Sequence, residues 1–251
     1  RHLIVSKHIP RPAPYQGVNL VDMPLPLSPG NLREIINRNR PDLIHVHYWN
    51  GMTQDLVWYH SIFSVISKFT IPIVENVNTS GEPYFTDSVS KYVFCSEWSR
   101  RSSGANWNSE EVIYPGTRIE NFLRDELTEV TDDLVGMVYR LGGDKIGSNA
   151  IEVFIEVMKA KSDVNCVIVG DGALVSHFKE RIYQENLNDR IEFTGWISYV
   201  ELQRLYRRLS IFVAPVKDDT FGSVSVYAMC AGIPVVGFEV GGIPEIVGAA
   251  D

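Results

Sequence analysis

The sequence is poor in cysteine, has no surplus of positive charge and contains no long apolar run. Its three cysteines, Cys95, Cys166 and Cys230, lie far apart in the 251-residue chain. They form no CxxC pair and have no metal-ligand spacing, so they read as buried, reduced thiols of a reducing, cytoplasmic compartment. The net charge of -8 disfavours a nucleic-acid partner, because a basic footprint is missing. It does not disfavour a phosphate-bearing small molecule, which needs only a few local donors. No apolar stretch approaches the roughly 20 residues that span a bilayer, and no signal peptide is visible. The chain opens on Arg1 directly into an apolar strand and stops at Asp251 just after a turn, so both ends read as truncated.

What is present is a repeating pattern of strand, loop and helix. In the first half, Leu43–His47, Ile71–Val74, Tyr92–Cys95 and Val112–Tyr114 read as short buried strands. A helix begins near Pro29 and must end before Pro41. A second helix carries Leu56, Tyr59, Ile62, Phe63 and Ile66 at helical spacing. Ser96 can cap a third. The acid-rich stretch 119–133 has little pattern and reads as a linker.

The second half gives strands at Leu134–Tyr139, Cys166–Val169, Ile191–Phe193, Ile211–Ala214 and Pro234–Gly237. Helices fall near Asn149–Lys161, Leu174–Asn186, Tyr199–Leu209 and Ser223–Ala231. Short apolar strands alternating with amphipathic helices form parallel sheets covered on both faces. The expectation is an α/β chain of two Rossmann-like domains, residues 1–125 and 126–251.

Ligands of such sheets bind beyond the carboxyl ends of the strands. After Ile211–Ala214 comes Asp219-Thr220-Phe221-Gly222-Ser223-Val224, which opens a helix. Free N–H groups at Ser223 and Val224 together with the helix dipole make an anion site. Taken alone, the same residues more simply shape a helix start. After Leu134–Tyr139 comes Arg140-Leu141-Gly142-Gly143-Asp144-Lys145, where Arg140 can grip a diphosphate bidentately and Lys145 as a point charge. Gly170-Asp171-Gly172 follows a Val/Ile strand and reads equally as a turn. Trp196, followed by Ile197, can stack on a base or cover the sheet. Four loops at one sheet edge agree with a nucleotide-diphosphate ligand.

In the first half, His45 and His47 alternate along one strand and share a face. With no third ligand apparent, they do not read as a metal pair. His45 reads as a satisfied core histidine. His47, Tyr48 and Trp49 stand at the strand's carboxyl end, where aromatic and polar groups together suit a sugar acceptor; packing is an equal reading for Trp49.

As an ordered set, these runs resemble the family 4 glycosyltransferases of GT-B fold, also grouped as glycosyl transferases group 1. The set comprises Pro41–His47, Ser96-Glu97-Trp98, Tyr114-Pro115-Gly116, Arg140 with Lys145, Gly170-Asp171-Gly172, Phe193-Thr194-Gly195, Asp219–Pro234 and Gly241–Val247. The resemblance implies a retaining transfer of a sugar from a nucleotide diphosphate to an acceptor hydroxyl, in polysaccharide or glycoconjugate biosynthesis. It implies a donor site in the second domain, a carbohydrate or lipid-linked acceptor in the first, and no cofactor or catalytic metal. Arg140, Lys145 and the helix start would stabilise the leaving diphosphate. It leaves peripheral contact with the inner membrane face open.

Three positions depart from the family pattern. Asp219 and Tyr227 stand where the family has two glutamates, the first on the donor sugar and the second on the ribose. Asn78 stands where the family has a histidine that touches the donor sugar. The resemblance therefore also admits a different class, a non-catalytic nucleotide-sugar-binding or scaffold subunit with a degenerate site.

Overall fold

The computed structural model describes residues 3–6, 18–49, 53–79, 81–104, 109–124 and 133–248. The chain divides into two compact units. The first comprises 1–94 and 100–112, the second 95–99 and 113–251.

The first unit begins with β1 (Leu3–Ser6) and β2 (Asn19–Asp22), a parallel pair. α1 (Pro29–Asn39) follows. Its N-cap is Ser28, one residue before the expected Pro29-Gly30-Asn31, and the Ser28 hydroxyl accepts from Asn31 N at 3.4 Å. β3 (Ile44–Tyr48), α2 (Thr53–Ile66), β4 (Ile73–Val77), β5 (Lys91–Phe94) and β6 (Glu110–Val112) complete it, with the end of α3 (Glu97–Ser102), whose first three residues count with the second unit. The four strands β3 to β6 pair in sequence order, all parallel. Ile73, Val77, Val46, Tyr92 and Phe94 meet Ile62, Phe63 and Ile66 of α2 in one apolar cluster.

Two readings of β3 are corrected here. His45 is exposed and does not belong to the core. Tyr48 is 2% exposed, with its ring edge-on to Tyr59 at 4.8 Å, so it is a packing residue and not an acceptor contact. Period-two alternation puts Val46 and Tyr48 inside and both histidines outside.

The second unit contains β7 (Leu134–Val138), α4 (Ala150–Ala160), β8 (Asn165–Val169), α5 (Val175–Gln184), β9 (Ile191–Gly195), α6 (Tyr199–Arg208), β10 (Ile211–Ala214), α7 (Ser223–Cys230), β11 (Val235–Gly237) and α8 (Ile243–Val247). All five strands and four helices read in this half are found within a few residues of their expected bounds. The sheet order is β11-β10-β7-β8-β9, entirely parallel. The chain moves outward from β7 on one side, then returns to lay β10 on the other. The loops leaving β7 and β10 therefore part at a topological switch point, the usual ligand position in such sheets.

The segment before β7 also joins this unit. Phe122 is fully buried, stacked on Tyr227 at 4.5 Å and edge-on to Tyr206 at 5.6 Å. The expected linker thus contributes a core residue at 122, while 125–132 lie outside the described residues. Cys95–Ser99 packs here as well. The Ser96 hydroxyl donates to Thr220 O at 2.6 Å, and the Glu245 carboxylate accepts from Glu97 N and Trp98 N at 2.8 and 2.5 Å. A carboxylate at those free amides is the favoured partner for a helix N-terminus.

One buried charge is unexpected. Glu75 sits on β4 between Val46 and Tyr92 with no exposure. Its Oε1 accepts from Tyr84 N at 2.8 Å, and its Oε2 has no partner among the described residues. Burial pushes its carboxyl up to about 8, opposed only by that N–H. Below the ordinary value of 4.5 both folded and unfolded chains hold the proton, so the group adds no pH dependence there. Between 4.5 and about 8 only the folded chain keeps it, so stability falls as pH rises through this window and levels off above it. Glu75→Gln removes the effect. Urea unfolding at pH 5 and pH 8 should show the variant gaining on the wild type as pH rises; parallel pH profiles would contradict a protonated Glu75.

Candidate functional site

The site is built from the loops at the carboxyl edge of the second sheet. The loop after β7 begins at Tyr139 and turns at Gly142, whose carbonyl accepts from Lys145 N and Ile146 N, both at 2.9 Å. Two ties bind it to the exit of β10. Ile146 bridges Val216, and Lys217 N donates to Lys145 O at 2.9 Å. The loop after β8 is held beneath it, since Leu141 N donates to Asp171 O at 2.9 Å. Gly170 has φ +123°, and an added Cβ would lie 1.9 Å from Tyr139 O. Only glycine admits that approach of two backbones.

These loops enclose a hollow of about 490 Å³ lined by Arg140, Gly142, Gly143, Asp144, Asp171 and Trp196, among others. Trp196 is 72% exposed, so its ring face is free to meet a flat ligand. The guanidinium of Arg140 donates to both oxygens of Asp144, at 3.0 and 2.6 Å. Beside the hollow, Lys145 Nζ lies 2.8 Å from Asp219 Oδ2. This pair joins the β7 loop to the β10 loop directly across the switch point. The second Asp219 oxygen accepts from Phe221 N at 3.3 Å, and its carbonyl accepts from Gly242 N at 2.7 Å.

α7 starts immediately after these residues. Its N-cap, Gly222, is left-handed at φ +95°, and no side chain caps Ser223 or Val224. The space a Cβ would take at Gly222 is filled by Ile243 Cδ1, at 2.6 Å. The glycine thus serves the seating of α8 against α7, in addition to any approach of a phosphate. Phe221 is buried at 7% exposure, with its ring near Tyr114.

The structure separates the other expected residues. Tyr227 lies on α7 with its ring in the core, stacked on Phe122, and burial raises its hydroxyl above the ordinary range. Ile197 packs against the core cluster and does not line the hollow beside Trp196. In the first unit, Asn78 is exposed after β4. Its backbone N–H donates to Tyr48 O at 3.0 Å, and its side-chain oxygen accepts from Asn76 Nδ2 at 2.6 Å. His47 and Trp49 are exposed at the end of β3. A separate hollow of about 390 Å³ in that unit is lined by His60, Phe63, Tyr84, Phe85 and neighbours, without lysine or arginine.

Sequence reasoning missed Lys217. Its Nζ donates to Gly143 O at 3.2 Å, placing a third cation on the glycine loop. Only its position two residues before Asp219, in a loop already under suspicion, could have pointed to it.

Comparison with known proteins agrees with this geometry. The chain matches the family of glycosyl transferases group 1 over residues 119–251, more than half its length. It is 27% identical over 229 residues to an uncharacterized glycosyltransferase of Methanocaldococcus jannaschii, covering 86% of this chain and 61% of that one. It is 26% identical over 269 residues to the sulfoquinovosyl transferase SQD2 of Arabidopsis thaliana, covering 94% and 49%. The chain thus spans about half to three-fifths of these relatives. Among solved structures it is similar to Anabaena HepE in complex with UDP and glucose, with a TM-score of 0.70, 19% identity and coverage of 91% and 70%. A glycosyltransferase from Rickettsia africae gives a TM-score of 0.75 at 17% identity, covering 92% and 69%. These likenesses establish the GT-B fold.

The Lys145–Asp219 pair is largely enclosed, with side chains 25% and 10% exposed. Removing one partner leaves a carboxylate short of its counter-charge in a poorly hydrated place, which costs about 3–5 kcal/mol when such a pair is fully buried. Lys145→Met should therefore unfold at clearly lower urea than wild type, and adding Asp219→Asn should restore most of the loss. If the double variant is no more stable than the single one, the ion pair does not hold these loops together.

Proposed function

The chain belongs to the glycosyl transferases group 1 family, and from that premise we propose that it transfers a sugar from a nucleotide-diphosphate donor to an acceptor hydroxyl with retention at the anomeric carbon. The observation that supports this reading is that the glycine loop carrying Arg140 also carries Lys145, which reaches Asp219 on the loop leading into the uncapped start of α7.

The diphosphate would lie along the glycine loop. Arg140, Lys145 and the amides of Ser223 and Val224 face the charge that grows as the bond between anomeric carbon and phosphate oxygen breaks. The amides at the start of α7 are fixed before reaction, so that part of the donor set needs little reorganisation. A diphosphate oxygen takes the acceptor's proton, and the chain supplies no general base. No metal or other cofactor is required, because the cations do the neutralising. Trp196 offers a stacking surface for the base. In the first unit, His47 and Trp49 mark the acceptor side, and Asn78 carries an amide able to hydrogen-bond a sugar. HepE's complex with UDP and glucose makes UDP-glucose the first donor to try. The acceptor class is a carbohydrate or lipid-linked glycan, made at the cytoplasmic side from cytosolic donors. Among the described residues no helix is long and apolar enough to cross a membrane.

A second reading has its own observation. Tyr227 carries no carboxylate and its ring is stacked on Phe122, while the Asp219 carboxylate is engaged by Lys145, so neither position presents the free carboxylate of the family pattern. A subunit that binds nucleotide sugar without turning it over would look the same.

Screening the full-length protein against UDP-, GDP-, ADP- and TDP-sugars for binding and slow hydrolysis separates the readings. The transferase reading expects one nucleotide to be both bound and released. Binding without release, even with sugar acceptors added, would favour the non-catalytic subunit. No binding by any donor would overturn the transferase reading and leave a scaffold subunit whose site is disabled at Asn78, Asp219 and Tyr227.

A further inference from the structure

Every cation of the glycine loop already holds a protein oxygen. Lys217 holds the Gly143 carbonyl, Lys145 holds Asp219, and Arg140 holds Asp144. The three engagements differ in how easily a ligand could exchange them. Lys217 meets a neutral carbonyl, with no carboxylate partner among the described residues. Lys145–Asp219 is enclosed and ties two loops together. Arg140–Asp144 is exposed, with side chains 55% and 64% accessible, and spans only four residues.

The form of that third contact matters. The two guanidinium nitrogens donate to the two carboxylate oxygens in a fork, the same arrangement by which arginine grips a phosphate. Asp144 therefore occupies the donor set that a phosphate oxygen pair would use. The pair lines the same hollow as Trp196. Gly142 makes room for it, since a Cβ there would meet Asp144 Oδ1 at 2.5 Å and Arg140 Nη1 at 3.0 Å. Arg140 in turn holds the Asp144 carboxyl below the usual carboxylate range, so the counter-charge is present at neutral pH.

We propose that Asp144 is an internal counter-anion that stands in for a donor phosphate on Arg140, so that nucleotide must displace it on binding and is helped off by its return. The idea rests on the donor-site reading above. On this view Asp144 sets affinity and release without touching the reacting atoms. Binding swaps one charged hydrogen-bonded pair for another, so the net gain from Arg140 is smaller than an unpaired arginine would give. The exposed pair is weak enough to open readily.

The test is calorimetric titration of UDP, GDP, ADP and TDP into the full-length wild type, Asp144→Asn, Arg140→Ala and the double variant. Asparagine keeps one side-chain oxygen to accept from the local backbone, removes the charge and turns the second acceptor into a donor that cannot complete the fork. Asp144→Asn should bind the preferred nucleotide about two- to fivefold tighter than wild type, the worth of a typical exposed ion pair. That gain should vanish when Arg140 is alanine. Equal or weaker binding by Asp144→Asn overturns the proposal while leaving the donor site intact. So does a gain that persists without Arg140, because that is a general charge effect. If neither wild type nor Asp144→Asn binds any nucleotide, the donor-site reading fails and the counter-anion role fails with it.

Discussion

Between β7 and β10 the second sheet reverses its order, and the residues that can meet a ligand are arranged by that reversal. Two loops leave adjacent strands and diverge, so a gap opens that no side-chain choice alone could create. What the sequence adds is a means of holding the gap in shape. Lys145 reaches Asp219 across it, Ile146 bridges Val216 beside it, and Gly170 lets a third loop approach closely enough to floor it. The start of α7 then stands at the gap because Gly222 takes a left-handed turn and leaves room for Ile243.

On the proposed function Asp219 and Lys145 have two duties. As a pair they hold the loops; as separate groups they are the charges a nucleotide sugar would need. A group that is both structural and ligand-facing changes stability and binding together when altered. Asp144 is more easily separated from the frame, because its partner Arg140 is exposed and its loop is already closed by backbone hydrogen bonds from Lys145 and Ile146 to Gly142.

The second unit was legible in the sequence because its signals are local. Strands such as Cys166–Val169 are short apolar runs, helices carry clear apolar faces, and glycines mark the turns. The loops with Arg140, Lys145, Asp171 and Trp196 followed from the strand positions alone, and the structure gathers them at one edge. Contacts between distant residues were not legible. Nothing near Tyr227 announces that Phe122, across a run of acidic residues, will stack on it. Nothing near Asp219 announces Lys145 as its partner. The error at Tyr48 arose from reading it with its exposed neighbours Trp49 and His47, although strand alternation points it inward. Glu75 was hidden for a related reason: an acidic residue in an apolar strand looks like a solvent-facing position until its two neighbouring strands are known.

The account's central claim is that nucleotide diphosphate is held at the switch point by the glycine loop and the first turn of α7. The most direct measurement is a crystal structure of the full-length protein with the nucleotide that binds best. The account predicts phosphate oxygens within hydrogen-bond distance of Arg140, Lys145 and the Ser223 or Val224 amide, with Arg140 released from Asp144. A nucleotide seated elsewhere, or phosphates touching none of these groups while Lys145 and Arg140 keep their carboxylate partners, would contradict it.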